Sequence, residues 1–217
     1  MNYLPRTIQP VIEEASKFFK IVMVSGMRQV GKSTLLKQLS SDKRTIISFD
    51  DINNLESAKN APLQFLQLNP PPCFFNQVQR VPEIFKALKI SVDSRSEKGL
   101  YWLSGSQKLS LMSQVSDALP GRLMNFELWP FSIYEIAGKG LEQKPYLPSF
   151  SLSSNLPILD PADTWNAVFQ GFWPELKKAT ETERSWFFRS LVDLYLSRDV
   201  RSLSGIEKFD EFEKFLI

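Results

Sequence analysis

The chain has 217 residues, 43% of them apolar, with 26 basic and 24 acidic side chains and a net charge of +2. This suits one large domain, or one domain with an appendage, around a sizeable core; a near-neutral chain without blocks of like charge advertises no nucleic-acid surface. With no histidine and one cysteine, Cys73, histidine-based metal or nucleophile sites and an internal disulfide framework are excluded.

The single cysteine fits a reducing compartment. The opening residues lack the basic and apolar regions of a signal peptide, and no apolar run approaches a membrane span. A cytoplasmic protein without membrane association is the expectation.

In chain order, residues 11–19 mix Val11, Ile12, Ala15, Phe18 and Phe19 with charges and read as a helix. Ile21-Val22-Met23-Val24 is a short apolar run that reads as a buried strand. Gly26-Met27-Arg28-Gln29-Val30-Gly31-Lys32-Ser33 follows and fits G-x-x-x-x-G-K-S/T, a phosphate-binding loop. Thr34 then leads a helix with Leu35, Leu36 and Leu39 on one face. Strand, glycine loop and helix start are in the order this chemistry needs. Glycines let the chain wrap an anion without a Cβ clash, and the loop N–H groups and helix N-terminus face the phosphates. Lys32 is expected to reach the β- and γ-phosphates of ATP, and the Ser33 hydroxyl to sit on Mg²⁺. The nucleotide-binding candidates are Gly26, Arg28, Gln29, Val30, Gly31, Lys32, Ser33 and Thr34.

Residues 45–49 read as a second strand ending at Asp50-Asp51, and 52–68 as a helix in two pieces broken at Pro62. Cys73-Phe74-Phe75 reads as a third strand and 82–94 as a helix opened by Pro82, burying Ile84, Phe85 and Leu88. Residues 100–104 and 123–128 read as the fourth and fifth strands. Strands alternating with helices imply a parallel sheet covered on both faces. Beyond Trp129-Pro130 the character changes. A short helix at 133–137, a long Pro- and Ser-rich loop at about 138–161, and helices at 164–170 and 181–198 are expected. This divides the chain into a core at 1–132 and a helical appendage at 133–217.

Six stretches together carry a resemblance. They are residues 26–36, residues 71–82, Leu103-Ser104-Gly105-Ser106-Gln107, Gly121-Arg122, Pro174-Glu175-Leu176, and residues 195–200. In this order they resemble the AAA-like P-loop ATPases of bacteria and archaea, over nearly the whole chain. The resemblance implies an α/β fold, a P-loop NTPase parallel sheet sandwiched by helices with a C-terminal helical appendage. In that family the third strand is followed by Asp-Glu, a hydrophobic residue and Gln-Arg. This chain keeps Gln79-Arg80 but carries Asn76 and Gln77 at the acid positions. The Asp holds Mg²⁺ and the Glu acts as general base. Asn76 keeps a metal-facing oxygen without its charge, and Gln77 cannot take a proton, so hydrolysis is expected to be impaired.

The resemblance also makes Ser104, Ser106 and Gln107 a polar sensor beside the γ-phosphate. It makes Arg122 a phosphate contact in cis or an arginine finger in trans, with a salt bridge to a helix as the alternative. Arg28 and Arg80 are weaker candidates. Asp50 and Asp51 are more simply solvated strand ends than replacement acids. Trp186, Phe187 and Phe188 are expected to pack internally. Residues 207–217 place Phe209, Phe212, Phe215 and Leu216 opposite acids, an amphipathic face expected to fold back on the appendage or to meet a second copy. Family members usually continue into further C-terminal domains, so an isolated ATPase module is expected, with DNA or protein partners acting through those domains, and homo-oligomers through the 207–217 face. Three functions compete: an ATPase with impaired hydrolysis, a non-catalytic nucleotide-gated interaction module, and a small-molecule or nucleotide kinase. The last is disfavoured by the lack of an Arg-rich lid.

Overall fold

Five strands form one parallel sheet: β1 (Ile21–Ser25), β2 (Thr45–Ser48), β3 (Cys73–Asn76), β4 (Tyr101–Ser104) and β5 (Leu123–Glu127), in the order β2-β3-β4-β1-β5. The computed structural model describes residues 3–40, 43–106, 119–142 and 160–195, with only the backbone at 161 and 163. β1 lies between β4 and β5 and is buried at all five positions, which is why its sequence is a continuous apolar run rather than an alternating one.

Alternation along the strands divides the core in two. Val22, Val24, Phe74 and Trp102 face α1 (Gln9–Phe18) and α2 (Lys32–Ser40), where Ile12, Leu35 and Leu36 are buried. Ile21, Met23, Phe75, Tyr101 and Leu103 join the opposite cluster, with Phe65, Ile84, Phe85 and Leu88. Those come from α4 (Pro62–Leu68) and α5 (Ile84–Asp93); α3 (Ile52–Asn60) adds Ala58. The rings of Phe49, Phe75 and Tyr101 stack in sequence at 5.7 Å spacings. A parallel α/β sheet between helices is therefore the fold, as the alternation of elements predicts.

Boundaries moved where local chemistry outvoted periodicity. The two-piece helix expected at 52–68 is present as α3 and α4, with Pro62 in the first turn of α4; the next helix start differs. Pro82 does not open α5; Pro82-Glu83 forms a turn and the helix begins at Ile84. Between β3 and that turn the chain makes a 3₁₀ turn at Val78–Arg80, entered through Gln77 in the left-handed region at φ 65°.

After β5 come α6 (Ile133–Ile136), α7 (Pro161–Gln170), a 3₁₀ turn at Pro174–Lys178 and α8 (Glu181–Leu194). Capping boxes start α6 at Ser132 and Glu135 and α8 at Thr180 and Glu183. Phe187 and Phe188 pack edge-on against Trp173 at 6.1 and 5.9 Å. Trp186 departs from the expected internal packing: it is 67% exposed, on a helix with no fully buried residue. Gln107, most of the long loop (143–159), residues 196–198 and the 207–217 face lie outside the described residues. Among the described residues, no helix is long and apolar enough to cross a membrane.

Candidate functional site at the carboxyl ends of the strands

The loop at residues 26–33 joins β1 to α2 at the carboxyl edge of the sheet, where α/β folds place their ligands. Its backbone demands its sequence. Gly26 has φ 142°, and a Cβ there would lie 2.3 Å from the Leu128 carbonyl oxygen. Gly31 has φ 95°, and Gln29 sits in the left-handed region at φ 61°. Lys32 Nζ turns back on the loop, donating to the carbonyls of Gly26 at 2.9 Å and Met27 at 2.5 Å. Burial, aided by the Arg28 charge, pulls its pKa down to about 8.

Ser33 lies on the first turn of α2. Its Oγ donates to Asn76 Oδ1 at 2.6 Å. The same oxygen accepts from Ser104 Oγ at 2.7 Å, and Asn76 Nδ2 donates to Ser48 Oγ at 3.2 Å. Sheet register makes this cluster. Ser48, Asn76 and Ser104 are direct partners across three neighbouring parallel strands, so three strand ends meet one loop hydroxyl. Asn76 is 6% exposed.

Gln77 turns out of the strand, and its Oε1 accepts from Gln79 Nε2 at 2.6 Å. Gln79 Oε1 in turn accepts from the Ser106 backbone at 3.3 Å. Ser106 Oγ is buried without a hydrogen-bond partner. A cavity of about 420 Å³ is lined by Lys32, Ser33, Gln77, Gln79, Ser104 and Ser106, together with Pro174, Glu175, Leu191 and Leu194 from the appendage. A second hollow, of about 730 Å³, shares Gly31, Thr34, Pro174 and Glu175 with it, and adds Tyr3, Leu4, Leu35 and Phe131. A wider hollow of about 980 Å³ along α4 and α5 contains none of these loop or strand-end groups.

Arg122 takes the helix salt bridge of its expected alternatives. It precedes β5, whose Leu123 pairs with Ile21 at the far end of β1. Four residues of strand, roughly 13 Å, separate that level from the loop. Arg122 instead forks onto Asp93 at the end of α5, through Nε at 2.5 Å and Nη2 at 3.1 Å. A phosphate contact in cis is not the geometry of this chain; the helix salt bridge is. Asp50 pairs with Arg80 at 2.9 Å, and Asp51 caps α3 by accepting from Asn53 and Asn54. Among the described residues, no group of three or more His, Cys, Asp or Glu side chains could hold a metal ion.

The support behind the loop escaped the sequence. Arg6 is buried at 4% exposure and donates through Nη1 to the Val30 carbonyl at 2.9 Å and through Nη2 to the carbonyls of Trp129 and Pro130. Its Nε forms an ion pair with buried Glu135 at 3.1 Å, and its guanidinium lies 4.5 Å over the Phe131 ring. Glu135 also accepts from the backbones of Thr7 and Ser132. A second brace comes from the segment after β5, where Trp173 Nε1 donates to the Arg28 carbonyl at 3.1 Å. Replacing Arg6 by Met leaves Glu135 buried without its cation. We expect a loss of about 3–5 kcal/mol, read as a large drop in melting temperature; a drop no larger than that of an exposed-site control shows the clamp to be dispensable.

Two uncharacterized proteins, from Mycobacterium bovis and Mycobacterium tuberculosis, are each 27% identical to this chain over 141 residues, covering 62% of this chain and 32% of theirs. The chain thus spans about a third of the length of the curated relatives it matches. A solved sugar kinase from Janibacter sp. aligns over 81% of this chain and 95% of its own, at 11% identity and a TM-score of 0.31, a likeness too slight to argue from. The profile of a family described as an AAA domain matches residues 18–137. That span runs from the end of α1 through the loop, all five strands and α6, and the chain belongs to this AAA domain family of P-loop nucleotide-binding proteins.

Proposed function

We propose that the chain binds ATP with Mg²⁺ through residues 26–34 and hydrolyses it slowly or not at all, with Asn76 and Gln77 standing where related ATPases carry Asp and Glu. The observation that carries this reading is the pair of hydrogen bonds onto Asn76 Oδ1 from Ser33 and Ser104. An amide occupies the point where a carboxylate would face the metal-binding serine.

The site fits phosphate chemistry on three counts. Gly26 and Gly31 leave the loop backbone open to close approach. Among the described residues the Lys32 ammonium donates to loop carbonyls, which phosphate oxygens would replace with charge-assisted bonds. Ser106 offers a buried hydroxyl in need of a partner. For the metal, Ser33 and Asn76 contribute neutral oxygens, whereas Mg²⁺ sites usually include a carboxylate besides the phosphates. Mg²⁺, when bound, neutralises phosphate charge. Lys32 does the same from the loop side, and Gln77 can orient a water but cannot accept its proton. The 730 Å³ hollow suits the adenosine, with Tyr3, Leu4, Phe131 and Pro174 as apolar walls and the Glu175 carboxylate as an acceptor for ribose hydroxyls.

Measuring affinity and turnover separately tests the reading: micromolar-range binding with little phosphate release supports it, and brisk hydrolysis overturns it. A second reading, a nucleotide-gated interaction module, is favoured by one observation. Trp173 holds the Arg28 carbonyl, and the Pro174 ring lies 3.8 Å from where a Gly31 side chain would begin. Loop and appendage are thereby joined, so ATP at the loop can bias the appendage. The two readings separate on turnover in the variant with both carboxylates restored.

Lys32 gives a pH signature. Its folded pKa of about 8 lies below the ordinary lysine value of 10.5, so between these values the unfolded chain holds more protons. Stability of the nucleotide-free protein therefore rises across that window. Bound phosphates favour the ammonium, so above pH 8 ATP binding should take up as much as about one proton. Calorimetry in buffers of different ionisation heat measures this; an uptake of zero at pH 9 shows that Lys32 does not meet the phosphates.

A further inference from the structure

The amino-terminal edge of the sheet, opposite the phosphate loop, holds a cluster that the nucleotide reading leaves unused. A pit of about 630 Å³ opens there; among the described residues it is lined by Lys17, Lys43, Arg44 and Lys98 with the acid Glu13. Arg44 forms its built part. The guanidinium lies 4.0 Å over the Trp102 ring, and Nη2 donates to Ser16 Oγ at 3.3 Å. Nη1 is buried and has no hydrogen-bond partner.

That arrangement is costly as it stands. Burial pulls the Arg44 pKa down to about 10, and the group nearest in charge terms is the buried Cys73 thiol, pushed up to about 11 and therefore neutral. Desolvated cations are ordinarily paired. α1 and α2 both end at the pit, and their carbonyl ends favour cations, yet none of those carbonyls accepts from Nη1. The other pairings here are exposed and exchangeable. Lys17 holds Glu14, both more than 70% exposed, and the Lys98 ammonium lies 5.9 Å from the Phe18 ring.

We propose that this pit is a second anion site, taking a small phosphate-bearing solute with Arg44 Nη1 and the surrounding lysines as donors. Phosphate suits the mixture: a planar guanidinium that bonds directionally, ringed by mobile ammonium groups that answer multiple charge. The cations ring one pit rather than forming a stripe, which favours a compact solute over a nucleic-acid backbone. Nothing in this inference depends on ATP binding at the loop.

The test uses pyrophosphate as probe and Lys32→Ala protein, in which the phosphate loop no longer competes. The reporter is the Trp102 indole N–H, which donates to Ser16 Oγ beside Arg44; its NMR resonance is assigned with Trp102→Phe. At constant ionic strength, pyrophosphate should shift this resonance saturably. Adding Lys98→Ala or Lys17→Ala should weaken binding several-fold, and Arg44→Gln about tenfold or more. The exposed lysine variants keep the test decisive if Arg44→Gln does not fold. The proposal is overturned by an unsaturable shift, by an equal shift with chloride, or by unchanged midpoints in the lysine variants. An oligonucleotide that binds there more tightly than pyrophosphate overturns the small-solute assignment.

Discussion

The double substitution Asn76→Asp/Gln77→Glu is expected to raise ATP turnover by about 10²–10⁴-fold, the usual contribution of a general base. The surroundings are already suited to the acids. A carboxylate at position 76 keeps the hydrogen bonds from Ser33 and Ser104, and Ser48 can reverse its hydroxyl to donate a third. It also adds the charge that a metal site of neutral oxygens lacks. At position 77 the backbone stays in the left-handed region, with the same preference for Glu as for Gln, and Gln79 Nε2 can still hold one oxygen. The single variants divide the effect. Asn76→Asp should chiefly tighten Mg²⁺-dependent binding, and Gln77→Glu should chiefly raise kcat. A double variant that binds ATP tightly and releases no phosphate would sink the reading and leave the nucleotide-gated module in its place.

Lys32→Ala is expected to weaken ATP binding by about two orders of magnitude or more, since in the proposed reading it deletes the desolvated ammonium that would meet the phosphates. Folding should survive. The wild-type ammonium is partly desolvated beside the Arg28 charge, so removing it relieves a cost while losing two hydrogen bonds to loop carbonyls. The expected pattern is therefore an unchanged or slightly altered melting temperature without nucleotide, and loss of the ATP-induced rise that tight binding gives. Equal affinities in calorimetry for wild type and Lys32→Ala would place the nucleotide elsewhere.

Some of this was legible because the signal is local. The glycine spacing with Lys32 and Ser33 encodes a backbone path that only small residues follow, and Gly26 and Gly31 both adopt positive φ. Strand positions were readable because a parallel sheet covered on both faces leaves unbroken apolar runs such as Ile21-Val22-Met23-Val24. Helix ends were less readable. Pro82 looks like a first helical residue, but α5 starts only at Ile84, after the turn that follows the 3₁₀ segment.

The sequence by itself determined the loop, the alternation of strands with helices, and the identities of Asn76 and Gln77 at the end of β3. What those amides touch was decided by register: Ser48 and Ser104 reach Asn76 only because β2, β3 and β4 are neighbours at matching levels, a pairing that leaves no periodic trace along the chain. Strand direction decided Arg122, whose place before a strand parallel to β1 sends it to Asp93 instead of the loop. Tertiary structure alone also made the clamp of Arg6 on Val30 and Glu135. A lone arginine at position 6 and a glutamate in a short helix after β5 carry no local pattern that marks them as buried partners. Only folding brings them together, where mutual neutralisation and backbone carbonyls offset the cost of burying both.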